Sequence, residues 1–293
     1  MLPTLDRRRF LQVVGGALAG AGCASGSGPA GQADAAGVPA PTRVSYGDHD
    51  DAFADLWLPA GADGPTPVVV LVHGGYWRAG LGLDLMDGLA ASVAAAGWAA
   101  WNIEYRRVGA GGGYPETFDD VAAALDHLAE PDLPIDPERV AYVGHSAGGQ
   151  LAVWAASRSS LEPGTAWADP QVRPRLVVSL AGVLHLVECA ESGLGGGACP
   201  DLLGGQPADV PDRYARTSPV ALAPAEAPVF AVHGTADANV PISQTERYVA
   251  AAEAAGGQIR SQVLDGADHF DVIDPGHESW RAVLAELRAA FRP

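Results

Sequence analysis

The chain contains no lysine. All 18 of its basic residues are arginine, set against 35 acidic residues, and the formal net charge is −17. That excess of negative charge argues against binding to nucleic acid or to an anionic membrane surface. Cysteine is scarce too, with 3 in 293 residues, and only His185 lies near the Cys189–Cys199 pair in sequence, so a thiolate metal site is not expected. The apolar run at 13–21 is too short to span a bilayer as a permanent helix. Nothing in the pattern marks a second domain. What is present is 48% hydrophobic residues, enough for a sizeable core within one large α/β domain.

The first residues read as a targeting segment. Residues 6–12, Asp-Arg-Arg-Arg-Phe-Leu-Gln, place paired arginines before x-Phe-Leu, and the apolar run follows, a pattern that resembles a twin-arginine export signal. Cys23 closes the segment and resembles the lipidated cysteine of a bacterial lipoprotein, although Gly20 stands where that pattern wants an aliphatic residue. Two outcomes remain open for 1–23: a membrane tether through lipidated Cys23, or simple secretion. Residues 24–41 are small and unpatterned, a flexible linker, and the domain proper is expected over 42–293. Export implies an oxidising environment, so Cys189 and Cys199, in one Gly-rich loop, are expected to form a disulfide.

From residue 42 strands and helices alternate, which predicts a mostly parallel sheet covered by helices on both faces. Residues 42–46 and 52–58 read as an opening hairpin. The run 67–73 reads as a strand buried on both faces, 84–96 as a helix, 98–105 as a strand and 115–129 as a helix with one apolar stripe. After a strand over 175–180 comes a long irregular insertion to about 226, placed as a lid would be. Strands over 228–233 and 259–264 and helices over 242–255 and 278–291 complete the chain.

The centre of the pattern is residues 139–151, Arg-Val-Ala-Tyr-Val-Gly-His-Ser-Ala-Gly-Gly-Gln-Leu. A β-branched and aromatic run leads into Gly144-His-Ser-Ala-Gly148, and an apolar helix follows. A serine in a strand-to-helix turn needs residues without side chains two before and two after it, and Gly144 and Gly148 supply them. The turn would lift the Ser146 hydroxyl above the sheet and aim the first helical N–H, that of Ala147, at an oxyanion.

A serine hydroxyl needs a base, and the base an orienting acid, both on loops at the same ends of the strands. His269, after the last strand, and Asp237, after the one before it, meet the requirement, and the order Ser146, Asp237, His269 fits. Asp268 adjoins His269 too closely in sequence to face it. His145 and His233 read as hydrogen-bonded structural residues, and His49, His127 and His277 as solvent-exposed ones. At 73–77, His-Gly-Gly-Tyr-Trp ends a strand with two glycines that let backbone N–H groups approach a substrate oxygen. The amides of Gly75 and Tyr76 would thus join that of Ala147 in an oxyanion hole.

These four motifs, His73-Gly-Gly-Tyr-Trp77, the Gly144–Gly149 elbow, Gly234-Thr-Ala-Asp237 and Asp268-His269, resemble the α/β-hydrolase superfamily over nearly everything after residue 42. The His-Gly-Gly-Tyr-Trp form is similar to kynurenine formamidases (arylformamidases) and to esterases related to hormone-sensitive lipase, many of which carry a third glycine where this chain has Tyr76. The resemblance implies Ser146 as nucleophile, His269 as base, Asp237 as acid, no metal or organic cofactor, and an ester or formamide as small-molecule substrate. Tyr76 and Trp77 are expected to bind substrate by walling the acyl side, favouring short acyl groups. Residues 106–114 and the 189–199 loop are expected to shape the leaving-group side. Kynurenine metabolism is intracellular, so apparent export favours a short-acyl carboxylesterase over an arylformamidase. A non-catalytic binding protein on the same fold is the rival from another class.

Overall fold

Residues 37–292, those that the computed structural model describes, form one sheet of eight strands with helices on both faces. The segment 1–23 with Cys23, and the linker up to residue 36, lie outside the described residues. The expected hairpin is β1 (Thr42–Ser45) antiparallel to β2 (Phe53–Trp57). The remaining strands are β3 (Thr66–Val72), β4 (Ala99–Ile103), β5 (Ile135–His145), β6 (Leu176–Leu180), β7 (Val229–Gly234) and β8 (Ile259–Leu264). Their order across the sheet is β1-β2-β4-β3-β5-β6-β7-β8; β2 and β4 pair antiparallel, and every pairing beyond them is parallel.

The valine run explains the centre of this sheet. In β3, Val68, Val70 and Val72 enter one apolar cluster and Val69 and Leu71 the other, so the period of two divides a continuous apolar run between two cores. One face is covered by α1 (Asp87–Ala95) and α8 (Glu278–Ala290), whose Trp280, Val283 and Leu287 recur at helical spacing and are fully buried. The other is covered by α2 (Glu116–Asp126) and α3 (Ala147–Ala155), with Phe118 and Trp154 edge to face at 4.8 Å. Between β7 and β8 runs α7 (Ser243–Ala254).

Three expectations are corrected. The insertion after β6 carries three short helices, α4 (Leu186–Glu191), α5 (Leu194–Leu203) and α6 (Pro211–Thr217). These helices are too short to show a period, and Gly195, Gly196 and Gly197 interrupt the second with left-handed backbone. Strand β5 begins at Ile135, because its pairing with β3 jumps from Asp136 to Val140 across a bulge; Pro137 lies in the jump, and Arg139 bonds Asp136 at 2.6 Å. The three histidines read as solvent-exposed are each engaged. His49 bonds Asp120 at 2.9 Å, His127 stacks on Trp101 and His277 caps α8 by accepting from the Ser279 amide.

Candidate active site

The serine turn forms where strand β5 passes into α3. Ser146 has φ 55° and ψ −119°, a strained backbone for a residue with a side chain, and its amide donates to Leu180 O at 2.8 Å. The flanking glycines are obligatory on steric grounds. A Cβ on Gly144 would lie 2.0 Å from Gly148 O, and one on Gly148 2.0 Å from Val72 O. Ala147 opens α3, so its N–H has no helical acceptor.

Strand ends bring the other two candidates together. His269, after β8, places Nδ1 2.7 Å from Asp237 Oδ2, and both side chains are almost wholly buried. Asp237 Oδ1 accepts from the amides of Asn239 and Val240, each at 2.8 Å. His233 Nε2 lies 3.4 Å from the same carboxylate and bonds Val240 O at 3.0 Å. Burial pushes the Asp237 carboxyl up, yet the contacts from His233 and His269 and the Val240 amide prevail and hold it well below the usual carboxylate range. Asp268 faces elsewhere, accepting from the amides of Phe270 and Asp271.

His145 links the His269 loop to the serine turn. Its Nε2 bonds the His269 carbonyl at 2.9 Å, and the two rings lie 4.6 Å apart. Because that acceptor requires a donor, the Nε2–H tautomer is the one present. The loop carrying His269 is thereby fastened to the residue before Ser146. The Ser146 hydroxyl itself makes no hydrogen bond to His269 among the described residues.

Beside the serine runs the turn after β3. Gly75, Tyr76 and Trp77 have φ of 122°, 53° and 56°, and the amides of Gly75 and Tyr76 enter none of the backbone hydrogen bonds of turns and loops. A Cβ on Gly74 would stand 2.9 Å from Ser146 Cβ, so a glycine there allows the turn to lie against the serine. His73 anchors the turn from below: it stacks on Tyr105 at 4.3 Å, and its Nε2 meets Glu104 Oε1 at 2.8 Å. Burial pushes the Glu104 carboxyl up, but His73, the Tyr105 amide and Arg107 outweigh it and lower its pKa.

Of the two aromatic residues expected to wall the acyl side, only Tyr76 is accessible. Trp77 is 0% exposed, lies in the main core and bonds Gln150 Oε1 through its indole N–H at 2.9 Å, so it lines no substrate surface. The left-handed φ at 76 and 77 turns its ring inward. Two apolar residues that sequence reasoning passed over stand at the rim, Leu81 packed against Gly75 and Phe270 against the rings of His145 and His269. Glu104 was also missed, although a carboxylate directly after the buried strand β4 was its signal. A disulfide joins Cys189 to Cys199, as expected. A separate cavity of about 610 Å³ lies at the opposite, amino ends of the strands, walled by Ser157, Arg173, Glu226 and Gln258, and holds none of the candidate residues. Among the described residues no group of three or more His, Cys, Asp or Glu is placed to hold a metal ion.

A mostly parallel sheet, a serine in a strained strand-to-helix turn and an Asp–His pair on the following strand ends define an α/β-hydrolase. Residues 54–251 match the BD-FAE family model, more than half of the chain, and the chain belongs to that family. It is 30% identical over 225 residues to the probable carboxylic ester hydrolase LipM of Mycobacterium tuberculosis, covering 70% of this chain and 50% of LipM. It is 26% identical over 245 residues to the probable isoprenylcysteine alpha-carbonyl methylesterase ICME of Oryza sativa subsp. japonica, covering 78% of this chain and 58% of that relative. The chain therefore spans less than two thirds of either one. Among solved structures, esterase B of Lactobacillus rhamnosis superposes with a TM-score of 0.75 at 22% identity, covering 87% of this chain and 86% of that one. A bacterial heroin esterase superposes at 0.71 and 21%, covering 89% and 87%. Both share the fold.

Proposed function

We propose that the protein is an exported serine hydrolase that cleaves carboxylic esters with short acyl groups. The observation that carries the reading is the 2.7 Å contact between His269 Nδ1 and Asp237 Oδ2, on a loop fastened to the serine turn through His145. Ser146 attacks the acyl carbonyl while His269 takes its proton, and Asp237 holds the imidazole in the tautomer that can accept it. The tetrahedral oxyanion is held by the amides of Gly75, Tyr76 and Ala147. The carbonyl re-forms as the alcohol departs with the proton from His269, and water then hydrolyses the acyl-serine by the same steps. Relatives named as ester hydrolase and methylesterase support an ester over an amide. The half-buried Tyr76 beside the serine supports a short acyl group, and exposed Leu81 and Phe270 at the rim suit an apolar leaving group.

The test is labelling by a fluorophosphonate probe together with a panel of p-nitrophenyl esters. Wild-type protein is expected to be labelled and Ser146→Ala not, with acetate hydrolysis lower by ~10⁴-fold or more in the variant. Acetyl and butyryl esters should turn over faster than octanoyl, and the reverse order defeats the short-acyl assignment. N-formylkynurenine cleaved faster than any acetyl ester would make the protein an arylformamidase instead. Wild-type protein that resists labelling would leave a binding role on a hydrolase fold.

A further inference from the structure

One side chain joins three separate pieces of the site. Tyr76 lies in the turn beside Ser146 with φ 53°, a left-handed value unfavourable for any residue with a Cβ. Its hydroxyl donates across the site to the Asn239 carbonyl at 2.7 Å. The amide of Asn239, in turn, donates to Asp237 Oδ1 at 2.8 Å. The Tyr76 ring lies flat enough on Gly195 that a Cβ there would approach Tyr76 Cδ1 to 2.5 Å. Arg78, in the same turn, donates to Gly195 O at 2.5 Å and Gly196 O at 3.0 Å and pairs with Asp201 at 2.6 Å. Both glycines belong to the segment closed by the Cys189–Cys199 bridge.

A left-handed turn built from Gly75, Tyr76 and Trp77 can relax by rotating a peptide plane, which restores a favourable φ and swings an N–H away from the serine. Something must oppose that rotation. On the Trp77 side it is the buried indole and its bond to Gln150. On the Tyr76 side the Arg78 amide donates to the Gly75 carbonyl at 3.0 Å, and the side chain adds the bond to Asn239.

We infer that Tyr76 is a positioning residue, whose hydroxyl ties the oxyanion turn to the loop of the acid Asp237 and so holds the amides of Gly75 and Tyr76 in line with a developing oxyanion. The inference rests on the serine-hydrolase reading above. It also gives a reason for tyrosine at a place where a third glycine would leave the turn untied. Burial, and then the charge of Asp237, push the phenol up to about 12 against the opposing effect of Arg78, so the hydroxyl remains a donor through neutral and mildly alkaline pH.

Tyr76→Phe removes the hydroxyl and keeps the ring, and two measurements decide between positioning and mere packing. In kinetics with p-nitrophenyl acetate the variant is expected to lose roughly tenfold in kcat with KM within about twofold, and to bind an aryl boronic acid, which forms a tetrahedral serine adduct, more weakly by the same factor. By hydrogen exchange, peptides spanning 74–78 and 237–240 are both expected to exchange faster. Unchanged exchange overturns the tie, and unchanged kcat with unchanged boronate affinity, or a loss confined to KM, overturns the positioning role. If wild-type protein hydrolyses no ester, the serine-hydrolase reading fails by itself. The exchange comparison then still upholds or overturns the tie between the two loops.

Discussion

His145 stands beside Ser146 in surroundings that reject a charge. Burial, and then the neighbouring His269, push its imidazole down from 6.5 to about 3, with Asp237 acting the other way and His73 adding to the effect. The unfolded chain therefore binds this proton more tightly than the folded one. The stability due to neutral His145 is complete above pH 6.5 and is lost progressively as pH falls toward 3. At pH 4.5 the loss amounts to roughly 2–3 kcal/mol, or about 5–10 °C in Tm. His145→Gln removes the titrating group, so the fall in Tm between pH 7 and pH 4.5, read by scanning fluorimetry, should shrink by about that amount; an unaltered fall assigns the acid sensitivity to other groups. The strained turn at Ser146 and the contact between Asp237 and His269 were legible because each residue sits in a short motif whose meaning is local. Glu104 and Asn239 were not, since each matters through a partner distant in sequence, 31 residues away for Glu104 and 163 for Asn239. Trp77 was misread because residue order does not reveal a left-handed φ, which here sends the ring to the core.

The pair α4 and α5 shows the same limit at the scale of elements. The strands were legible because continuous valine runs admit few other structures, and α8 because its apolar residues keep a helical step. The insertion hid its helices behind glycine and proline, and only the bridge between Cys189 and Cys199 was foreseeable, from the expected export and from proximity. That bridge closes a loop with a sequence separation of 10, for which chain entropy gives roughly 2–3 kcal/mol. Replacing both cysteines by alanine should lower Tm by about 5–10 °C. The substitution should also weaken the hold of Arg78 on Gly195 and Gly196, so inactivation by heat should begin before global unfolding. Coincident loss of activity and of tertiary signal on heating would show that the insertion does not loosen first.

Over the whole molecule the charge balance acts on encounter more than on chemistry. A net charge of −17 repels anionic substrates at distances set by the Debye length, about 30 Å at 0.01 M salt and about 8 Å at 0.15 M. For an ester carrying a carboxylate, kcat/KM should rise several-fold over that range, and for a neutral ester of the same acyl group it should stay level; equal salt responses would mean that the surface potential does not reach the site. At the centre of this charged shell lies α3, the helix that Ser146 opens. All nine of its residues, from Ala147 to Ala155, are buried, so it has no solvent face on which substitutions could accumulate. Tolerance to mutation along α8 follows the turn of the helix, whereas along α3 it has no period. The positions behind the serine form an unbroken block in which drift is closed to the chain, and diversification is left to the loops in front.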